Sequence, residues 1–341
     1  MNKKIVSALI ILGLLIFSLA HSAQTGTAVV FKYNPGEMLH YKISGVGNGT
    51  IRLLSKDSTL NTLGFNSTYP VNLSFETFLT ASTLSVSTEG IGTWSMKVNK
   101  MDINCGIMNQ QFRFVFGDKK LQVYTNGQLS KDESMDSVNQ NGFMGKPFIF
   151  TMTNRGQLLD IQIPGMDQLN DSLPYKTFIW ESWKNQMSPF LPDKLFVTGD
   201  HWKSTTRIDF PPGISFPKPF QVIRSFTVDG FKDMDGENCM ILKTQCNNDF
   251  TGLSFSPDTV SFPSLNGMGK MEAKFKQGNL NSNGEIVIGV NSGKLKKCSG
   301  DINLGMELYM QIPLAGKKAL EFTVGVNGKM NSVMELSPES Y

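Results

Sequence analysis

Catalysis would have to start from very few residues. The 341-residue chain has three histidines: His21, His40 and His201. Acid–base or nucleophilic chemistry needs a base within hydrogen-bond reach of a nucleophile and held by an orienting group. His201 follows Asp200, but adjacent residues of a strand point to opposite faces, so the dipeptide is no catalytic pair by itself. His40, between Leu39 and Tyr41, takes the polar phase of an alternating segment. No GxSxG, HExxH, P-loop or dinucleotide fingerprint occurs. The run Asp233-Met234-Asp235-Gly236-Glu237 resembles the start of a calcium loop, yet lacks the remaining oxygen ligands and the flanking helices. It reads as a hairpin turn, and residues 281–284 (NSNG) read the same way. The expectation is therefore no catalytic residue, no metal and no cofactor.

Four cysteines remain: Cys105, Cys239, Cys246 and Cys298. In an oxidising compartment an even count permits two disulfides, with three connectivities. Cys239 and Cys246 lie seven residues apart in one extended stretch (CMILKTQC), too far to bridge each other. Either they pair with Cys105 and Cys298 in some order, or all four are small buried hydrophobes. No CxxC spacing supports zinc or thioredoxin-like chemistry.

The composition with chemical content is apolar: 24 Phe and 18 Met. Methionine is flexible and polarizable and suits adaptable pockets. Phe112, Phe114, Phe116, Phe148, Phe150 and Met152 recur at the period of a strand, so they would line the concave face of a curved sheet. Trp180 and Trp183 would close such a pocket as a lid. The competing reading makes all eight an ordinary core between sheet and helix.

These residues must be positioned by strands. Alternation is plain at Leu39, Tyr41 and Ile43, at Trp94, Met96 and Val98, and at the three phenylalanines of 112–116. Residues 29–33 (VVFKY) also read as a strand. Turn chemistry separates further strands at Gly117-Asp118 and Asn154-Arg155-Gly156. One stretch differs: Leu169, Leu173, Trp180, Trp183 and Met187 form a helical stripe, with Ser172 as N-cap and Pro189 and Pro192 as stops. Fold class is mainly β: two curved antiparallel sheets, half-barrel-like, around one central helix. GKPFIFTMTNRGQLLDI and GKMEAKFKQGNLNSNGEIVIG each cross a glycine turn into an apolar strand, a pattern pointing to internal duplication. The organisation is a signal peptide over 1–23, an N-terminal β half over 24–165, a helix and connection over 166–192, and a C-terminal β half over 193–341.

Lys3 and Lys4 precede an apolar run from Ile5 to Leu19 and then small residues, the layout of a cleaved export leader; an uncleaved anchor is the alternative. Removing the two lysines reduces the net charge of +3 to 3 − 2 = +1, too little to attract nucleic acid or an anionic membrane. No later run reaches the length of a spanning helix, and the terminal ELSPESY carries no alternating barrel strand. The expected location is the periplasm or the extracellular space.

Four segments, KYNPGEMLHYKI, GKPFIFTMTNRGQLLDI, SPFLPDKLFVTGDHW and SFTVDGFKDMDGENCMILKTQ, together resemble a family of bacterial exported β-rich proteins of uncharacterised function. LPDKLFVTGDHW is the most distinctive of them. Such proteins are in turn similar to envelope lipid carriers of the LolA/LppX type, which implies a half-barrel holding lipid chains. The expected function is non-catalytic binding of a lipid or acyl chain in a curved β cavity. The alternative is a structural or protein-interaction module of the envelope with a filled core and a protein partner.

Overall fold

The computed structural model describes residues 26–55, 66–117, 120–130, 146–162, 191–208, 214–215, 220–257, 272–312 and 319–338. The expected leader, and the expected helix with Trp180 and Trp183, lie outside these residues. Sixteen strands are described: β1 (Met38–Ser55), β2 (Ser67–Val86), β3 (Gly92–Ile107), β4 (Gln110–Gly117), β5 (Lys120–Thr125), β6 (Gln128–Leu129), β7 (Phe148–Met152), β8 (Leu158–Gln162), β9 (His201–Ile208), β10 (Ile214–Ser215), β11 (Phe220–Met234), β12 (Glu237–Asp249), β13 (Ser254–Pro257), β14 (Glu272–Gly289), β15 (Leu295–Ile312) and β16 (Leu320–Ser337).

The two expected sheets are one. The main path runs β6-β5-β4-β3-β2-β1-β16-β15-β14-β12-β11-β9, antiparallel throughout, with β1 and β16 joining the two halves of the chain. Among the described residues the sheet is not closed, because β6 and β9 remain as its ends. Six neighbouring strands, β3 to β14 through β1, are 16–20 residues long, about 60 Å at strand rise. β3 serves two partners: its first half, Gly92 to Met96, pairs with β7, and its second half, Met101 to Ile107, pairs with β4.

Register makes the sheet two-faced. Directly opposed residues of antiparallel strands share a face. One such row carries Phe114, Ile103, Phe75, Gly45, Ser332, Gly300 and Gly284 from β4 to β14. A row nearer the other strand ends carries Tyr69, Ile51, Val326 and Met306. The intervening residues form the polar face, where Asn72, Asn48, Lys329, Asn303, Asn281 and Asn247 line up across six strands. This row overturns the hairpin expected at 281–284, which lies inside the continuous β14. Asparagine and glycine normally mark turns, but here they alternate between a wet face and a face crowded by aromatic rings. At Gly45 an added Cβ would stand 2.6 Å from the Phe75 ring, so only glycine lets that ring cross the strand. β16, with Phe322, Val324, Val326 and Met334 on the apolar face, runs as far as Ser337, three residues into the terminal ELSPESY.

At the end of the sheet near Met38, Gly92 and Leu295, other segments cover the apolar face. Residues 28–34 do not form the strand expected for VVFKY; they run as a strip outside the named strands. Thr27 exchanges two backbone bonds with Phe196 (2.8 and 2.9 Å), and the Phe31 N–H donates to the Asn154 carbonyl at 2.8 Å. Val29, Leu191 and Phe196 are thereby buried on Val228, Met240, Leu242 and Ile288. Arg155, in the β7–β8 turn, donates to the Val29 and Pro192 carbonyls (3.2 and 3.3 Å) and pairs with Asp193. A second tie is Glu237, which follows the Asp235-Gly236 turn, both residues of which have positive φ. Its carboxylate accepts from the Ser292 N–H (2.6 Å), the Ser292 hydroxyl (3.0 Å) and Lys296 (2.9 Å), joining the β11–β12 and β14–β15 turns.

All four cysteines are free thiols, so no disulfide joins the halves. Cys239 and Cys246 share β12, as expected, and an odd spacing puts them on opposite faces. Burial pushes the Cys239 and Cys298 thiols up. Thiol titration without reductant should therefore give four equivalents after unfolding and slow reaction at Cys239 and Cys298 in the fold; fewer than four would contradict the free-thiol state. Burial works against the charged Glu237, but the Ser292 and Lys296 bonds outweigh it and lower its pKa from 4.5 to about 2. A depressed carboxylate stabilises above its unfolded pKa, and that contribution is lost as pH falls from 4.5 towards 2. Glu237→Gln should cost about 2 kcal/mol at neutral pH. It should also flatten the decline of denaturant midpoint across that acid window.

Candidate apolar-ligand site

A cavity of about 480 Å³ lies on the apolar face at the covered end. Its floor is the alternating register of three central strands: Leu39, Tyr41 and Ile43 of β1, Leu79 and Ala81 of β2, and Met334 of β16. One side is built where β3 pairs with β7, placing Trp94 opposite Phe150 and Gly92 opposite Met152. Trp94 and Phe150 stack at 4.8 Å between ring centroids, and Phe148 follows Phe150 at 6.5 Å. Phe31 and Tyr33 of the N-terminal strip, with Lys294 and Leu295 at the start of β15, complete the enclosure.

Five polar side chains at the rim are already committed. The Tyr33 hydroxyl donates to the Thr153 carbonyl (3.0 Å) and the Tyr41 hydroxyl to the Leu295 carbonyl (3.3 Å). Lys32 donates to the Asn291 carbonyl at 2.8 Å. Lys294 forms an ion pair with Glu37, whose other oxygen accepts from Asn34 at 3.1 Å. Burial pushes the Tyr33 phenol well above its usual range; burial, with the nearby Glu37 charge, pushes Tyr41 up to about 12. Both phenols therefore stay neutral and hold their bonds at physiological pH. The arrangement offers an apolar volume in the roughly 300–1,000 Å³ range of small-molecule sites, behind a rim that needs no counter-ion.

Of the eight residues expected to bind a ligand, the structure brings three to this end. Phe150 and Met152 line the cavity, and Phe148 packs beside them. Phe112, Phe114 and Phe116 lie on the same face of the sheet but on β4, which pairs with the other half of β3. Phe116 is fully buried there, and none of the three reaches the cavity. Trp180 and Trp183 lie outside the described residues. The floor residues went unassigned to the site, although their alternation was visible in sequence. What the alternation does not carry is which end of a long strand other segments cover.

The catalytic candidates sit elsewhere. His40 is on the polar face, with Nδ1 3.1 Å from the Thr80 hydroxyl. His201 is exposed at the start of β9. Asp200 accepts from the Val197 N–H (2.9 Å) and pairs with Lys194 (2.8 Å), bonds that hold its carboxyl below the usual range. Asp233 accepts from the Gly236 N–H at 3.2 Å, within its turn. Among the described residues no group of three or more His, Cys, Asp or Glu could hold a metal ion. Among them, too, no helix is long and apolar enough to cross a membrane, a statement that does not extend to strands.

No protein-family model and no curated protein matches this chain. Among solved structures it is similar to lipovitellin, in a structure concerned with lipid–protein interactions: 11% identity, TM-score 0.39, over 91% of this chain and 26% of that one. The chain thus spans about a quarter of the lipovitellin chain. It is similar to the beta domain of the Bordetella autotransporter BrkA at 8% identity and TM-score 0.18, covering 88% and 99%. A porin of Rh. blastica aligns at 8% identity and TM-score 0.20, covering 85% and 99%. Likeness at this level establishes neither a shared fold nor a shared role.

Tyr33 packs over Gly92, where an added Cβ would stand 2.3 Å from its ring. Gly92→Ala should push the ring off the cavity and cost about 1–3 kcal/mol, read as a lower thermal midpoint. Adding Tyr33→Ala should recover part of that loss in a double-mutant cycle; strict additivity would contradict the contact.

Proposed function

We propose that this chain is an exported, non-catalytic binding protein that holds a lipid or acyl chain against the apolar face of its sheet. The single observation that carries the reading is the cavity: about 480 Å³ walled mainly by Leu, Ile, Met, Phe and Trp, with the Tyr33 and Tyr41 hydroxyls bonded to backbone carbonyls and Lys294 paired with Glu37. An interaction module with a filled core would have closed this volume with side chains, since packed interiors leave few voids larger than a water molecule. Export rests on the residues of the leader, and the resemblance to exported β-rich proteins agrees with it.

The test is native mass spectrometry with organic extraction of protein purified from its own envelope without detergent, followed by titration with a fluorescent fatty acid. A near-stoichiometric lipid and saturable probe binding are expected. Ala81→Trp, which fills the floor, should weaken the probe at least about tenfold while leaving the far-UV circular dichroism unchanged. Val46→Trp, on the polar face, should leave binding intact. A clean apo mass together with no probe binding would sink the carrier reading.

A further inference from the structure

The cavity wall changes character along the strands. Leu39, Ile43, Leu79, Ala81 and Met334 make an apolar floor. The charged members of the wall, Lys32, Glu37 and Lys294, all belong to one end: two precede β1 and one precedes β15. Gly293 brings the lysines together, since an added Cβ there would stand 2.5 Å from the Lys32 backbone nitrogen. Ser82 and Thr83, both with hydroxyls, line this end as well; Ser82 stands opposite Met38, and the Thr83 N–H donates to the Glu37 carbonyl at 3.0 Å. From there the floor runs along β1 from Leu39 to Ile43, about 13 Å at strand rise, into the sheet.

The charges at that end do not cancel. Lys294 is paired with Glu37, whereas the partner of Lys32 is neutral, the Asn291 carbonyl at 2.8 Å. Among the described residues of the wall, two ammonium groups and one carboxylate leave a net charge of +1. The two hydroxyls can serve an alcohol, an ester or a carboxylate alike, so the charge decides the headgroup. Resting on the carrier reading above, we infer that the ligand is a single-chain fatty acid, its carboxylate beside Lys32 and its chain laid along β1 over Ile43 and Met334. At about 480 Å³ the volume suits one chain, not two. Lys32 is exposed, so water solvates it without a counter-ion, and a carboxylate beside it keeps part of its own hydration. The reverse orientation would bury the carboxylate among Leu, Ile and Met with no opposite charge to offset its desolvation.

Decanoate, 1-decanol and decyltrimethylammonium carry matched chains with negative, neutral and positive heads. Each competes with N-phenyl-1-naphthylamine bound to the full mature chain at pH 7 and low salt. Lys32→Gln keeps a donor for the Asn291 carbonyl and removes the charge. It should weaken decanoate about threefold while leaving decanol unchanged and the cation no weaker. Lys32→Glu should weaken decanoate about tenfold and strengthen the cation. Salt at about 0.5 M should shrink the decanoate difference between wild type and Lys32→Gln, because exposed charges are screened. Independently, the Met334 methyl resonance, assigned by its loss in Met334→Leu, should move with decanoate and stay with acetate, which has the head without the chain. Equal effects of the Lys32 variants on decanoate and decanol overturn the inference and leave the carrier reading standing. Binding of decanol or the cation without decanoate also overturns it, as does a Met334 resonance that decanoate does not move. Failure of the probe and of all three amphiphiles to bind would instead overturn the carrier reading.

Discussion

The molecule depends on the register between β1 and β16. From His40 opposite Ser337 to Ser55 opposite Phe322 the two strands pair without interruption, although they come from opposite ends of the sequence. This seam places Ile43 beside Met334, Ile51 beside Val326 and Leu53 beside Val324 on one face. A slip of one residue would carry that whole set to the side occupied by Lys42, Arg52, Lys329 and Glu335. Closing so long a loop costs entropy that grows only as the logarithm of its length, so a long paired seam can repay it. The cavity floor is read directly off this seam, because Tyr41 and Ile43 meet Leu336 and Met334 across it.

The middle of the sheet and its covered end solve different problems. In the middle, rows of asparagine face water while Gly45, Gly300 and Gly284 lie on the apolar side, where rings such as Phe75 need room. Each such glycine gives up roughly 0.5–1 kcal/mol of backbone entropy relative to alanine, a cost that close ring packing must offset. At the covered end, specific polar ties hold the pieces instead. Arg155 binds the N-terminal strip to residues 192–193, and Glu237 binds two hairpin turns through Ser292 and Lys296. Neither Arg155 nor Glu237 lines the apolar cavity.

Much of this was legible in the residues themselves. The alternation of Leu39, Tyr41 and Ile43, of Trp94 and Met96, and of Phe148, Phe150 and Met152 marked the apolar face, and the Asp235-Gly236 and Asn154-Arg155-Gly156 turns fell where turn chemistry placed them. Residues 281–284 misled because Asn and Gly carry the same local signal in a tight turn as in a strand with one wet face and one crowded face. Residues 28–34 misled in the other direction: an apolar, β-branched run satisfied by packing on a sheet instead of by joining it.

By itself, then, the sequence determined a mainly β chain with a two-faced strand pattern, because side chains alternate with period two whatever the partner strand. It also determined the lack of recognisable catalytic motifs. Only the tertiary structure decided that the strands form one sheet, that β1 closes on β16, and that the cavity lies under the end near Gly92 and Leu295. Those outcomes depend on which strands meet and which segments cross over them. Such contacts join residues hundreds of positions apart, and local alternation carries no record of them.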